Sequence, residues 1–233
     1  MTEPRRWRAP AEGGEVEVLF EPSPAPAPHA PVLILAHGAG SHMDHETIRN
    51  LAGAMTRAGL GVARFNFAYR AEGRRAPDRM PRLTAWYGAA VDSVRQHVNP
   101  EGLLVGGQSM GGRAASLMVA DGLACDGLVL LAYPLHPAGK PERRRDAHLD
   151  QVRVPALCCN GTRDGLCRRD LMDDVVARLS AGQAARAGAA FTMHWLDGAD
   201  HGYRVLKRSG RTRDHVFAEI GEVAAAWART ALA

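Results

Sequence analysis

Seven short apolar runs alternate along this chain with longer segments built from helix-forming residues, and that alternation restricts the fold more than any other feature. The runs are V-E-V-L-F (16–20), V-L-I-L-A (32–36), G-V-A-R-F-N-F (61–67), L-L-V-G (103–106), G-L-V-L-L-A (127–132), A-L-C-C-N (156–160) and F-T-M-H-W-L (191–196). Several are apolar at every position, as strands covered on both faces tend to be. Between them, His45 to Ala58, Leu83 to Val98, Ser109 to Asp121 and Arg169 to Ala181 read as helices, with a last helix from Thr212 to Arg229. The order predicts an α/β fold: a doubly wound, mostly parallel sheet with helices on both faces and a ligand site beyond the carboxyl ends of the strands. E-P-S-P-A-P-A-P (21–28) reads as a stiff surface connection between two strands. With 233 residues, 46% of them hydrophobic, and no internal repeat, the chain is expected to form one domain over residues 1–233.

Charge and cysteine usage exclude several classes. The net charge of +4 comes from arginines interleaved with 25 acidic residues, and Lys140 and Lys207 are the only lysines. No aromatic-studded basic stripe of the nucleic-acid-binding kind is present, so no nucleic-acid partner is expected. The chain has no run of about 18 apolar residues and no apolar core in its first ten residues, so neither a membrane span nor an export signal is expected. Cys125, Cys158, Cys159 and Cys167 form no C-x-x-C pair. They read as reduced, mostly buried thiols in a cytoplasmic protein, with Cys158 and Cys159 facing opposite sides of a strand.

One stretch carries chemistry. L-V-G-G-Q-S-M-G-G-R (104–113) sets Ser109 between a strand and a helix, with glycines two residues before and two after it. A serine in so tight a turn stands above the sheet edge, and the small flanking residues let the backbones approach. A hydroxyl needs a base to take its proton and an acid to hold that base in one tautomer. Asp164, in N-G-T-R-D-G just past a strand, is the expected acid. Asp197 is its rival, and Asp200 is disfavoured by its adjacency to the base. His201, in D-G-A-D-H-G-Y, is the expected base. His194 lies within a strand and His215 on a helix face.

The nascent oxyanion requires backbone donors. Met110, the residue after the serine, is expected to supply one. The second is expected from the loop H-G-A-G-S-H-M-D-H after residue 36, through the N–H of Ala39 or Gly40, with Ala39 favoured. His37 is expected to prop this loop. The loop carries His37, His42, Asp44 and His45, but a metal would need three or four convergent ligands with supporting partners, and nothing else supplies them, so no metal is expected. No cofactor is implied. Gly38, Gly40, His42, Tyr69, His136 and Tyr203 are the candidate substrate contacts, with packing as the alternative for the two tyrosines.

Together these motifs resemble the α/β-hydrolase superfamily. H-G-A-G-S-H-M-D-H, R-F-N-F-A-Y-R, G-G-Q-S-M-G-G-R and Y-P-L-H-P-A-G-K-P-E are similar to those of small dienelactone-hydrolase-like proteins. That group includes the Tex-type hydrolases and the hydrolase-like region of an NSL chromatin-complex subunit. The resemblance runs from about Val32 to the C-terminus and implies Ser109, Asp164 and His201 as a catalytic triad. Dienelactone hydrolases proper use cysteine where this chain has serine. The expected activity is hydrolysis of small or exposed acyl esters on a small-molecule substrate. The alternatives are an acyl thioesterase, suggested by Arg143, Arg144, Arg145, Arg168 and Arg169, and a non-catalytic interaction scaffold. The interval from Tyr133 to Pro155 is too short for a cap domain, so an open site is expected, roofed by Leu135, His136, Pro137 and the 69–78 loop. Arg113 is expected to be a surface or ion-pair residue. The sequence does not indicate an oligomeric state.

Overall fold

The computed structural model describes residues 3–24 and 30–232. Its strands are β1 (Arg5–Ala11), β2 (Gly14–Glu21), β3 (Val32–Ala36), β4 (Gly61–Phe65), β5 (Leu103–Gln108), β6 (Gly127–Leu131), β7 (Ala156–Gly161) and β8 (Phe191–Leu196). Its helices are α1 (Glu46–Arg57), α2 (Ala68–Ala71), α3 (Met80–Val98), α4 (Met110–Ala120), α5 (Arg169–Ala181) and α6 (Arg213–Ala231). The strands form one sheet in the order β1-β2-β4-β3-β5-β6-β7-β8. β1 and β2 are antiparallel to their neighbours, and β4 through β8 run parallel.

Each apolar run divides its side chains between two cores because successive residues of a strand point to opposite faces. Ile34 and Ala36 join Phe65, Tyr87, Val91 and Leu130 on one side, while Leu33 and Leu35 join Ile48, Leu51, Phe217 and Ile220 on the other. Cys158 and Cys159 separate in the same way, and all four thiols are unpaired. Among the described residues, no helix is long and apolar enough to cross a membrane.

Three features differ from the sequence-based expectation. The first strand is Arg5–Ala11, ahead of the run at 16–20. Its charged residues are tolerated because an edge strand keeps most of its side chains in solvent, and Trp7 anchors it by donating to Ser93 Oγ at 2.5 Å and stacking on His97. The strand expected over 61–67 ends at Phe65, and the chain turns into the short helix α2. Helix α3 begins at Met80 rather than Leu83, with Pro81 in its first turn, where a missing N–H is harmless. Residues 25–29 of the proline-rich connection lie outside the described residues.

Tyr87 ties the middle of the sheet to α3. Its buried hydroxyl lies 2.7 Å from the Ile34 carbonyl and 2.6 Å from the Gly106 carbonyl, and it accepts the Gly106 N–H at 2.8 Å. Tyr87→Phe leaves these groups without a partner in a dry environment and is expected to destabilise the protein by about 1–3 kcal/mol. Urea denaturation checks this, with a lower midpoint at an unchanged slope as the expected outcome.

Candidate active site

Ser109 closes the turn between β5 and α4 with φ 52° and ψ −115°, a region that residues other than glycine rarely occupy. The backbone around it leaves no room for side chains. A Cβ on Gly107 would lie 2.6 Å from the Ala36 carbonyl oxygen, and one on Gly111 would lie 2.6 Å and 2.7 Å from the Ala36 and His37 carbonyl oxygens. The Ser109 N–H donates to the Leu131 carbonyl at 2.8 Å, and its own carbonyl accepts the Arg113 N–H at 3.0 Å. The strained turn is therefore held from both sides.

The three separated residues Ser109, His201 and Asp164 meet at the carboxyl ends of the strands. His201 Nε2 lies 3.0 Å from Ser109 Oγ, and His201 Nδ1 lies 2.8 Å and 3.0 Å from the two Asp164 carboxylate oxygens. A carboxylate facing Nδ1 selects the Nδ1–H tautomer, which leaves the Nε2 lone pair facing the serine hydroxyl. The Asp164 side chain is fully buried, whereas the His201 side chain keeps 30% of its surface exposed. Asp164 is fixed by further donors: Leu166 N–H at 2.8 Å and Asn160 Nδ2 at 3.2 Å.

Asn160 was not singled out in the sequence. It is fully buried and bridges β7 to the end of β6, accepting the Tyr133 N–H at 2.8 Å and donating to the Tyr133 carbonyl at 3.0 Å. Its position at a strand terminus, four residues before an expected acid, was the available signal. The His201 loop is seated by a second close approach, since a Cβ on Gly161 would fall 2.1 Å from the Ala199 carbonyl oxygen.

The rival residues are engaged elsewhere. Asp200 accepts the Gly202 and Arg204 N–H groups at 2.9 Å, Asp197 is exposed, and His194 pairs with Glu219 at 2.8 Å. His215 closes the capping box of α6 with Thr212. Among the described residues, no group of three or more His, Cys, Asp or Glu is arranged to hold a metal ion.

The loop after β3 crosses directly over the elbow, and a Cβ on Gly38 would sit 3.0 Å from Gln108 Oε1. His37 is buried and neutral: Nδ1–H donates to the Gly38 carbonyl at 2.8 Å while Nε2 accepts the Phe67 N–H at 3.2 Å. Arg64, almost fully buried, also pins this loop through the Met43 carbonyl, Glu21 at 3.0 Å and Asp44 at 3.5 Å. Ala39 and Gly40 are exposed, with Gly40 at φ 71°, and His42 is half-buried with its ring edge-on to His45.

Three candidate substrate contacts are buried instead. Tyr203 packs edge-on against Phe217 in the core on the α6 side of the sheet. His136 donates or accepts only toward the backbone, at the Pro137 carbonyl and the Arg168 N–H, and so braces two loops rather than roofing the site. Tyr69 is buried edge-on to His37, and its hydroxyl has no hydrogen-bond partner among the described residues. Leu135, also expected in the roof, is fully buried. Burial follows in each case because an aromatic or aliphatic surface at a strand end gains more from packing than from water.

Burial lowers the His37 pKa to about 4, because a charged imidazole there is poorly solvated. Protonation would also turn Nε2 into a donor facing the Phe67 N–H. With the folded pKa below the unfolded value near 6.5, the unfolded chain binds the proton first. The contribution of His37 to stability is therefore complete above about pH 6.5 and declines as pH falls toward 4. Urea denaturation between pH 7 and pH 4 is expected to show this loss, and His37→Gln is expected to flatten it.

A family model described as an alpha/beta hydrolase domain matches residues 29–229. Solved structures superpose over almost the whole chain at low identity. An alpha-beta serine hydrolase homologue from Coxiella burnetii has a TM-score of 0.73 and 20% identity, covering 96% of this chain and 98% of that one. An α/β serine hydrolase without a lid from Xanthomonas campestris gives 0.72 and 19%, covering 97% and 96%. A dienelactone hydrolase from Anabaena variabilis gives 0.66 and 17%, covering 97% of each chain. With strand order, elbow and family model in agreement, the chain belongs to the α/β hydrolase family.

Proposed function

We propose that this protein is a serine hydrolase that cleaves small or exposed acyl esters through an acyl-enzyme. The observation that carries the reading is the unbroken hydrogen-bonded path from Ser109 Oγ through His201 to the buried Asp164. Ser109 Oγ attacks the acyl carbonyl while His201 Nε2 accepts its proton. His201 then protonates the departing alcohol, and a water activated by the same nitrogen releases the acid. Asp164 keeps the ring in its tautomer and stabilises the imidazolium.

Two backbone donors serve the tetrahedral oxyanion. Met110 is the first residue of α4, so its N–H has no carbonyl within its own helix. In the loop above, the exposed Ala39 supplies the second donor through its N–H. The substrate touches Gly38, Gly40 and His42 along this loop. The mechanism needs no metal or cofactor.

An open site is supported by the course of the chain between β6 and β7, which packs down onto α4 through the His148 to Ser116 contact at 2.8 Å. The Xanthomonas relative in fold is likewise described as lacking a lid, and the Anabaena one is named for a cyclic ester. The quoted motifs further align the chain with the small Tex-type hydrolases, and its unpaired thiols go with a cytoplasmic location.

A fluorophosphonate probe is expected to label the wild type but not Ser109→Ala, and His201→Ala is expected to lower kcat by about 10⁴-fold or more with the fold intact. Absence of labelling at high probe concentration would instead assign the chain to the interaction scaffolds. Among nitrophenyl esters of two to sixteen carbons, kcat/KM is expected to be highest for the short chains; a preference for the longest would contradict an open site.

A further inference from the structure

Four arginines on the connection from β6 to β7 and on α5 and its N-cap are neutralised. Arg144 forms two hydrogen bonds to Asp146, which also receives Arg178, and Arg178 reaches Asp150 as well. Arg168 pairs with Asp170, and Arg169 with Asp173 while lying over the Trp195 ring. These pairs account for three of the five arginines expected to meet an anion.

Arg113 and Arg145 are different. Arg113 was expected to be a surface or ion-pair residue; its Nε is buried without a hydrogen-bond partner among the described residues. It stands in the first turn of α4, four residues after Ser109 and about 6 Å along the helix axis. Arg145 is half-buried, and the charges acting on its guanidinium include Arg113 and Arg143 but no carboxylate.

The backbone holds both arginines at this place. The Tyr133 hydroxyl donates to the Arg145 carbonyl at 2.7 Å, and the Arg145 N–H donates to the Leu135 carbonyl at 2.8 Å. Tyr133 follows two residues after Leu131, whose carbonyl receives the Ser109 N–H. Ser116 and His148 close the cluster: the Ser116 hydroxyl donates to the Arg113 carbonyl at 2.9 Å, and His148 Nε2 lies 2.8 Å from Ser116 Oγ. Burial keeps His148 neutral, with its pKa lowered to about 4, so it adds no charge at pH 7. Two partly desolvated guanidiniums held near each other without an acid are unfavourable unless an anion joins them.

We propose that Arg113 and Arg145 form an anion-recognition site one helical turn from Ser109, which takes a carboxylate or phosphate carried by the acyl substrate. Guanidiniums suit such groups because their planar donors match two oxygens at once. This deepens the hydrolase reading and rests on it for placing the scissile carbonyl at Ser109. The natural substrate is then an anionic ester or thioester rather than a neutral one.

Two matched substrate pairs locate the anion. Mono-4-nitrophenyl glutarate against 4-nitrophenyl pentanoate tests a carboxylate on the acyl group. Butyryl-coenzyme A against S-butyryl-N-acetylcysteamine tests phosphates on the leaving group. In one pair the wild type is expected to prefer the anionic member by about tenfold or more in kcat/KM, mainly through KM. Arg113→Gln and Arg145→Gln are expected to cut that ratio by about ten- to a hundredfold, and Arg113→Lys to retain part of it. A readout independent of catalysis uses inorganic pyrophosphate, which is expected to raise the wild-type Tm by about 2 °C or more, less so at high salt, and not that of the double Gln variant.

Neutral esters hydrolysed as well as their anionic partners in both pairs, or ratios unmoved by the Gln variants, would overturn the proposal. If no ester is cleaved and no probe labels Ser109, the hydrolase reading fails. The pyrophosphate measurement then decides the anion site alone, and a wild-type Tm that pyrophosphate does not move overturns it.

Discussion

The contact on which the rest of the site depends is between backbones, at the elbow under Ser109. Gly107 and Gly111 lie so close to the end of β3 that a single added carbon would overlap the Ala36 or His37 carbonyl oxygen. Tight packing of this kind converts the register of two neighbouring strands into the position of one hydroxyl. β3 and β5 pair through Ala36 and Gly107, so the loop that leaves β3 crosses directly over the serine that leaves β5. Strain at Ser109 persists because hydrogen bonds from β6 and α4 hold both sides of the turn. Flexible residues thus build a rigid site, because only they permit the approach.

The base and its acid depend on the same device at β7. Gly161 admits the Ala199 carbonyl against the strand, which brings the following residues over the sheet toward Asp164. The acid is buried and saturated with donors, while the imidazole keeps contact with solvent. This asymmetry suits the roles. A carboxylate that never exchanges its partners holds one geometry, and a base that must pass protons to an alcohol and to water needs access to both. Asn160 extends the arrangement inward, so the acid is oriented by the core itself rather than by a loop.

The sequence disclosed the parts governed by strong local rules. Continuous apolar runs mark the parallel strands, and paired glycines around one serine mark the elbow. That Asp164 and His201 would meet Ser109 was legible because chain order and strand ends restrict where they stand. The missed features answer to weaker signals. β1 carries three arginines, and its strand character comes from pairing with β2 and from the anchorage of Trp7, neither of which is written in its own composition. The side chains Tyr69, His136 and Tyr203 stood at the right strand ends, but whether such a residue faces a ligand or the core is settled by neighbours distant along the chain. Arg64 illustrates the same point: inside an apolar strand it looks misplaced, until Glu21, Asp44 and the Met43 carbonyl converge on it.

Charge pairing around the connection from β6 to β7 is selective: Arg144, Arg168, Arg169 and Arg178 meet acids, while among the described residues Arg113 and Arg145 do not. An arginine-rich protein can distribute its cations as solvated ornaments, and an unpaired guanidinium on an open surface then means little. Here Arg168 and Arg169 find acids even though both partners are exposed. Arg70 shares that state in part, since its Nε is also buried without a partner, but its Nη1 donates to the Arg74 carbonyl at 3.2 Å, whereas Arg113 and Arg145 have neither an acid nor a carbonyl among the described residues. The connection from β6 to β7 could have satisfied them with Asp146, one residue from Arg145, yet that carboxylate turns to Arg144 and Arg178. The positive charge left there is therefore a property of how the loop is built, and it is what the proposed anion site rests on.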